Sequence, residues 1–311
     1  MKKNAIIVMM LVCAFSWGSV FPLAKVVLQD MSGLSLSIWR FAIAVSSLLV
    51  FMYITKKRIV SLSLTQSLAL AVIGSIGIGG LNFALFSGLE HTSATNGALI
   101  MALSPIVTAL LAAIVDQTSL RKLQLCQLGI ALSGVLLVIT KGDLNSLINL
   151  TINRGDVTIL IGMLAWSCYT VCASKVSHWL APLEFSLITM AMGLTTLLII
   201  SLFRVEVTPW ESFITLPNFS LASLIYIGVF GTVVGYLCWN SGVKAFGSAK
   251  ASLYFNLVPV FAALVSALMG QAVSAIQLMG MCVVLTGLMM PTLLRFINTK
   301  YAAVTASKIK S

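Results

Sequence analysis

The feature that most constrains this chain is an internal duplication. The pattern around residues 81 to 114 returns 154 residues later, so that Pro105 meets Pro259. The other matches at that offset are Gly74 with Gly228, Gly77 with Gly231, Ser87-Gly88 with Ser241-Gly242 and Gln117 with Gln271. The similarity continues at an offset of 153, where Gln124-Leu125 meets Gln277-Leu278. A fold for this chain must therefore place two similar halves side by side, as membrane proteins built from structural repeats do.

The composition indicates that these halves lie in a bilayer. Hydrophobic residues make up 59% of the chain and charged residues only 9%, whereas soluble domains carry about a quarter charged residues. The net charge of +11 is spread singly or in short clusters between apolar segments, which is typical of topology signals rather than of a nucleic-acid-binding face. We therefore expect the lipid bilayer and a small-molecule substrate as partners, and no nucleic acid.

Ten apolar segments are predicted to span the membrane, because a spanning helix needs about 20 mainly apolar residues. Charges and turn residues divide the chain into segments 5–28, 34–55, 66–89, 92–115, 123–140, 156–177, 183–203, 218–243, 249–269 and 273–295. The predicted fold class is an all-α membrane protein with ten transmembrane helices, arranged as two inverted five-helix repeats. The second repeat is inverted because five is an odd number of crossings.

The distribution of basic residues predicts the orientation. With the N-terminus in the cytoplasm, fourteen basic residues fall inside, and only Lys141, Arg154 and Arg204 fall in outside loops, as the positive-inside rule requires. Both termini are therefore expected in the cytoplasm. The predicted division is a first repeat over residues 1–140, a linker over 141–155, a second repeat over 156–297 and a basic tail over 298–311.

Aromatic and polar side chains at mid-depth are the candidates for a binding site. Trp17 and Trp166 hold comparable positions in the first helix of each half, where an indole N–H needs a partner. Helical spacing places further candidates on the same faces. The predicted substrate-binding set is Trp17, Phe21, Asn82, Phe86, Ser104, Trp166, Tyr169, Tyr236, Asn240 and Asn256. For each of these residues, helix packing or an interhelical hydrogen bond is the alternative explanation.

Pro105 and Pro259 are predicted hinges. Each proline lacks an N–H and frees the carbonyl four residues earlier, on Met101 and Phe255. A freed carbonyl in the membrane needs water, solute or another partner. The alternative is a kink that serves only to pack the helices.

The charged residues place further limits on function. All eight acidic residues fall at predicted helix ends or in loops, so facilitated diffusion or exchange is favoured over proton coupling. Lys25 and Arg40 lie near outer helix ends with Asp30 between them, and we expect an exofacial ion pair or snorkelling there rather than a substrate contact. The sequence shows no catalytic cluster and no metal-ligand cluster. We therefore expect no enzyme activity, no metal and no cofactor. All six cysteines lie in apolar segments, where we expect them to be buried as small hydrophobic residues and to form no disulfide.

Several motifs carry a family resemblance. The first predicted helix contains WGSVFPLAK from Trp17 to Lys25, the second contains Arg40-Phe41, and the fourth reads ALIMALSPIVTALLAAI around Pro105. Together with the ten-span inverted repeat, they resemble the EamA-type branch of the drug/metabolite transporter superfamily across nearly the whole chain. One departure is that the Gly-Glu pair which commonly closes helices four and nine is here Asp116-Gln117 and Gly270-Gln271.

The resemblance implies an inner-membrane transporter, often an exporter of amino acids or related metabolites, and we expect it to work by alternating access. Two alternatives stay open at this point. One is an integral membrane enzyme acting on lipid-linked substrates, and the other is a membrane scaffold that transports nothing.

Overall fold

A computed structural model describes residues 3–57, 60–92, 94–143, 153–204 and 209–290. Within these ranges the chain is 84% helix and contains no strand. Nine of the described helices are long and apolar enough to cross a membrane. They are α1 (Lys3–Val27), α2 (Gly33–Ile54), α3 (Leu64–Leu89), α4 (Asn96–Val115), α5 (Lys122–Thr140), α6 (Arg154–Val176), α7 (Pro182–Leu202), α8 (Asn218–Phe246) and α9 (Ser248–Leu268).

The tenth predicted segment contains a shorter apolar helix, α10 (Ala275–Met290). A further short helix, Pro209–Ile214, precedes α8 in a stretch that we expected to be loop. The predicted tail and most of the predicted linker lie outside the described residues. The nine longer helices begin and end within a few residues of the predicted bounds.

Local chemistry explains where these helices begin and end. The Ser63 side chain accepts a hydrogen bond from the backbone N–H of Gln66 at the start of α3, and Asn153 does the same for Asp156 at the start of α6. Both pairs are reciprocal capping boxes that satisfy otherwise unpaired N–H groups. Gly247, at the end of α8, and Gly270, after α9, have φ of 77° and 90°, a conformation that favours glycine.

Two helices contain π-helical segments at equivalent places in the duplication. They are Ser75–Gly80 in α3 and Ile227–Val234 in α8. A π segment widens one turn of the helix and frequently marks a functional site. The two halves of the duplication, offset by 154 residues, therefore share a local distortion of the backbone as well as residue types.

Close contacts between the halves are also reciprocal. A β-carbon on any of six glycines would lie less than 3 Å from the residue packed against it, so the helices approach closely there. The contacts pair Gly77 with Tyr169 and Gly231 with Val20, Gly88 with Ile159 and Gly242 with Met10, and Gly74 with Met192 and Gly228 with Ile43. In every pair the glycines are 154 residues apart and their partners are 149 residues apart. Helices α1 and α3 therefore contact the second half in the same way that α6 and α8 contact the first half.

Helices α5 and α10 also pack against each other. A β-carbon on Gly134 would lie 2.7 Å from the carbonyl oxygen of Gly280. The Gln127 side-chain amide donates to the Gly287 carbonyl at 3.4 Å, and the Gln277 amide donates to the Val138 carbonyl at 3.2 Å. Polar side chains inside apolar helices here bond to the backbone of the neighbouring helix, which ties the two halves together a second time.

The cysteines correct one expectation from the sequence. Cys13 and Cys238 are buried, but Cys126, Cys168, Cys172 and Cys282 are exposed on the outside of the helices. An apolar segment in a membrane protein has a side that faces lipid. A cysteine in such a segment is therefore not buried inside the protein when it lies on that side.

Candidate functional site

Six aromatic rings meet between the halves, and we call them the central aromatic cluster. Trp17 of α1 lies 5.3 Å from Trp166 of α6 and 5.1 Å from Trp239 of α8, measured between ring centroids. Edge-to-face and offset contacts at such distances stabilise aromatic pairs. The members are Trp17, Trp166, Tyr169, Tyr236, Trp239 and Phe255. The cluster therefore joins helices α1, α6, α8 and α9.

One residue of the cluster, and the residue that follows another member of it, have polar groups without partners. Trp239 is 1% exposed, yet its indole N–H has no hydrogen-bond partner among the described residues. The Thr170 hydroxyl on α6 is also buried and also lacks a partner there. Buried polar groups are normally paired. Two unpaired groups near the meeting point of the halves can therefore bind water or a polar group of a solute.

A chain of hydrogen bonds runs from the cluster to α7. The Tyr169 hydroxyl donates to the Asn240 side-chain oxygen at 3.2 Å, and the Asn240 amide donates to the Ser186 hydroxyl at 2.9 Å. All three residues are buried. This chain fixes the orientation of the Tyr169 ring and connects α6, α8 and α7.

A second polar group adjoins the cluster at Tyr236. The Asn82 amide donates to the Ile78 carbonyl at 2.8 Å, and the Asn82 side chain also interacts with the Tyr236 hydroxyl. The Arg40 guanidinium lies within electrostatic range of that hydroxyl, and its Nε donates to the Thr232 hydroxyl at 3.1 Å. The two π segments, which contain Ile78 and Thr232, thus each contribute to this polar group.

The position of Arg40 contradicts the expectation that it forms an exofacial ion pair or snorkels. Arg40 is only 9% exposed, and it lies 5.0 Å from the Phe41 ring centroid rather than beside Asp30. The Asp30 carboxylate instead accepts a hydrogen bond from Ser220. Lys25 is exposed as expected for a helix end. Arg40 points into the bundle because it lies on the face of α2 that packs against the π segment of α8.

Of the predicted site residues, Trp17, Trp166, Tyr169 and Tyr236 belong to the cluster. Asn82 and Asn240 contact it through the hydrogen bonds just described. Asn256 is buried and follows the cluster residue Phe255, but its amide donates to the Leu253 carbonyl. Ser104 is also buried, at the interruption of α4.

Phe21 and Phe86 lie away from the cluster. Phe21 is 55% exposed, and Phe86 packs on a separate group of apolar residues around Val27 and Leu36. Each is four residues after a site residue, a rise of about 6 Å along the helix. That rise moves the ring to the next layer of the bundle, where its neighbours are different. Helical spacing therefore did not bring these two rings to the cluster, and their role in substrate binding stays a prediction.

Trp239, Phe255, Arg40 and Thr232 were not predicted as site residues. Trp239 lies three residues after Tyr236 and directly before Asn240, so the spacing rule that selected those two residues could also have found it. No comparable signal marked Thr232, because its role depends on the π segment of α8.

Both predicted hinge prolines follow a distortion of their helix. The α-helix of α4 is interrupted at Leu103, and Pro105 lies in the first turn of the segment that resumes. In α9 the 3₁₀ segment Ser252–Asn256 precedes the α-helical turn with Pro259. The Ser252 hydroxyl donates to the Pro105 carbonyl at 3.4 Å. The two distorted regions therefore contact each other across the halves.

Five of the six rings of the central aromatic cluster are buried in this conformation, and Trp17 is the most exposed of the five at 9%. A cavity of about 10 Å³ lies next to Asn240, Phe185 and Lys244, which is room for about one water molecule. Any larger solute requires that the aromatic side chains or the helices that carry them move apart. Among the described residues no group of three His, Cys, Asp or Glu side chains could hold a metal ion.

These observations define a class of protein. Many apolar helices of spanning length enclose buried aromatic and polar side chains near the meeting point of two related halves, as in multi-pass membrane proteins that move solutes. The sequence model of the EamA-like transporter family matches this chain twice, over residues 4–140 and 153–293. The chain belongs to the EamA-like transporter family and is a multi-pass membrane transporter.

Individual proteins show the same similarity. An "uncharacterized transporter YyaM" of Bacillus subtilis (strain 168) is 35% identical over 93% of this chain and 94% of its own length. A "probable amino-acid metabolite efflux pump" of Escherichia coli (strain K12) is 24% identical over 92% of this chain and 94% of its own length. A solved crystal structure that is 16% identical superposes with a TM-score of 0.76, covering 94% of this chain and 98% of that one. That last likeness supports the fold alone.

Proposed function

We propose that this transporter exports amino acids or related small metabolites across the cytoplasmic (inner) membrane by alternating access, and that the solute binds at the central aromatic cluster. The observation that carries the proposal is the cluster itself, with the unpaired indole N–H of Trp239 and, beside Tyr169 in the sequence, the buried unpaired hydroxyl of Thr170. The name of the Escherichia coli relative favours amino-acid metabolites as the solute class. Aromatic faces with a few polar groups suit a solute that has an apolar body and a polar end.

The proposal includes an arrangement of ten helices in two inverted five-helix repeats. The repeats are residues 1–140 and 156–297, joined by a linker over 141–155 and followed by a basic tail over 298–311. The reciprocal glycine contacts and the paired π segments support this arrangement, because a two-fold axis between the halves would produce equivalent contacts twice. In transporters such an axis lies in the membrane plane, with the solute site near it.

Both termini are proposed to be cytoplasmic. Contacts at the two ends of the bundle are consistent with this orientation. The Lys175 ammonium pairs with Asp116, and both residues belong to the predicted inner side. Trp39 donates to the Pro209 carbonyl at 2.8 Å, and both lie on the predicted outer side. The excess of basic residues on the first side supports a cytoplasmic location for that side.

Transport itself tests the proposal. Proteoliposomes that contain the purified chain and a panel of unlabelled amino acids are expected to accumulate the labelled form of a transported amino acid by counterflow, without a pH gradient. Trp166→Ala is expected to abolish accumulation, because it removes a ring that contacts the five others of the cluster. Trp210→Ala is the matched control, since Trp210 is 60% exposed near the outer end of α2.

Three results would count against the proposal. Accumulation no greater than in empty liposomes across the whole panel would remove amino acids as the solute class. Equal transport by wild type and Trp166→Ala would move the solute path away from the cluster. Transport that requires a pH gradient would contradict the facilitated exchange expected from the positions of the acidic residues. Elution as a single folded species is the control for each variant.

A further inference from the structure

Arg40 is a buried cation near the central aromatic cluster, and the proposed function assigns it no role. It lies seven residues after Gly33, the first residue of α2, which is about 10 Å below the helix end. An ionisable side chain inside a membrane protein is costly unless it is paired or serves a site. In the described part of the chain no carboxylate lies within ion-pair distance of it, since the ion pair found there joins Lys175 to Asp116.

The neighbours of Arg40 accept only part of the hydrogen bonds that it can donate. Its Nε donates to Thr232, and its guanidinium lies over the Phe41 ring. A guanidinium has five N–H donors in a planar fork that fits a carboxylate with two parallel hydrogen bonds. A hydroxyl and a ring face do not supply the opposite charge, so Arg40 is available for an anion that enters with the solute.

The location of Arg40 connects it to the central aromatic cluster. Phe41 and Tyr236 have ring centroids 6.1 Å apart, and Tyr236 and Trp17 have centroids 5.6 Å apart. Thr232, which accepts the Arg40 hydrogen bond, is four residues before Tyr236 and so lies about one turn from it on α8. A solute whose body rests on the rings of Trp17 and Tyr236 can therefore reach Arg40 with its polar end.

The charge of Arg40 decides between two kinds of solute. A cluster of aromatic rings alone is suited to a cation, which is attracted to the ring faces. A fixed positive charge beside the cluster repels such a cation, and the repulsion is strong where water is excluded. The same charge attracts a carboxylate. The structure thus favours solutes that carry a carboxylate over cations that lack one.

We propose that Arg40 is the anion-binding residue of the transport site, and that the transported solutes are carboxylates with an apolar body, either anionic or zwitterionic. The inference rests on the proposed function, in that it assigns the solute class to the cluster. An amino group is tolerated because aromatic faces can accept it, but the carboxylate is required. The arrangement divides recognition between a charged group on α2 and apolar rings on α1, α6 and α8.

Matched pairs of acids and amides test the proposal directly. Binding to the purified full chain is measured by tryptophan fluorescence for L-phenylalanine and L-phenylalaninamide, L-leucine and L-leucinamide, and 3-phenylpropanoate and 3-phenylpropanamide. Within each pair, the two compounds differ in one functional group, the carboxylate, which the second compound replaces with an amide. In wild type, the acids that bind are expected to bind at least about tenfold more tightly than their amides, as a charge-assisted bidentate pair provides.

Two variants isolate the role of Arg40. Arg40→Met keeps a long side chain and removes the charge, a change that leaves no unpaired ion behind and is compatible with folding. We expect it to bind acid and amide within about threefold of each other. Arg40→Lys keeps the charge without the fork, and we expect the acid preference to survive in weakened form. Lys25→Met, which removes an exposed positive charge near the outer end of α1, is the matched control and is expected to keep the full preference.

The outcomes separate this inference from the proposed function. Equal binding of acids and amides by wild type, no binding of any pair, or an unchanged acid preference in Arg40→Met would overturn the role of Arg40. If Arg40→Met does not fold, an undiminished preference in Arg40→Lys would overturn the bidentate contact. Counterflow of the same acids gives the second readout. If Arg40→Met transports these acids as well as wild type does, the role of Arg40 is wrong but the proposed function stands. If wild type binds the acids more tightly than the amides but does not transport them, the proposed function alone is wrong.

Discussion

At the scale of single residues, Gly235 controls how closely α8 approaches Trp17. A β-carbon on Gly235 would lie 2.5 Å from the Trp17 indole nitrogen. We predict that Gly235→Ala displaces that indole and destabilises the protein by about 1–3 kcal/mol, the usual effect of overpacking. The measurement is the thermal unfolding of the purified protein, together with the near-ultraviolet dichroism of its tryptophans.

Gly129 provides the matched control for Gly235. It lies in α5, and a β-carbon there would meet no atom within 4 Å. Because alanine is the better helix former, Gly129→Ala is expected to stabilise the protein by roughly 0.5–1 kcal/mol. Equal effects of the two substitutions would show that Trp17 does not pack as tightly against α8 as the structure indicates.

The residues of the site were predictable where the duplication and mid-depth position agreed. Trp17 and Trp166 satisfied both criteria, and both lie in the cluster. The buried position of Arg40 was not predictable, because its distance from a helix end suggested snorkelling while the direction of the side chain depends on packing against α8. Sequence spacing identifies a helix face, but it does not identify which layer of the bundle that face meets.

At the scale of helices, α4 and α9 are the elements most suited to bending. Both are distorted just before a proline, and the Ser252 hydroxyl bonds to the Pro105 carbonyl between them. We predict that the double variant Pro105→Ala, Pro259→Ala transports roughly three to tenfold more slowly, because regular hydrogen bonds can close where the helices now flex. Initial rates of counterflow give the measurement.

The control for this prediction is Pro182→Ala. Pro182 is in the first turn of α7, where a proline removes no helical hydrogen bond, so this variant should transport at the wild-type rate. The double variant should also unfold at the same or a higher temperature than wild type. A loss of rate together with a loss of stability would point to damaged packing rather than to a lost hinge.

The bounds of the helices were predictable because charges and turn residues stop a spanning helix. Lys122 begins α5 and Thr140 ends it, close to the predicted 123–140. The π segments of α3 and α8 were not predicted. Their sequences are glycine-rich and apolar, which is compatible with a regular helix, and only close packing such as Gly77 against Tyr169 accompanies the wider turn.

At the scale of the whole molecule, contacts at both ends hold the two halves together. On the proposed cytoplasmic side, Asp116 at the end of α4 pairs with Lys175 of α6. On the opposite side, the Arg204 guanidinium lies 5.6 Å from the Phe83 ring centroid, and Trp39 stacks on Phe213 with centroids 3.9 Å apart. A transporter that alternates must break one set of contacts while the other persists. The central site is thereby opened to one side at a time.

The ion pair between Asp116 and Lys175 therefore gives a prediction about access. Both side chains are nearly half exposed, at 45% and 49%, so the pair stabilises closure by at most about 1 kcal/mol, or roughly fivefold in population. Asp116→Asn is expected to increase labelling of Ser177→Cys by a membrane-impermeant thiol reagent up to about that factor. Ser177 is suited to report this because it lines the small cavity near the inner end. The assay uses a background in which the native cysteines are replaced.

Salt and a reversed pair distinguish this electrostatic effect from a structural one. Raising the ionic strength to about 1 M screens exposed charges, so it should increase labelling of the parent protein and leave Asp116→Asn unchanged. The double variant Asp116→Lys, Lys175→Asp restores the attraction and should return labelling toward the parent rate. Arg204→Gln loosens the opposite end and should lower labelling, because the same two-state equilibrium then shifts toward the outward-open form. If both Asp116→Asn and Arg204→Gln raised labelling, the two ends would open independently, and the halves would not move as a single alternating unit.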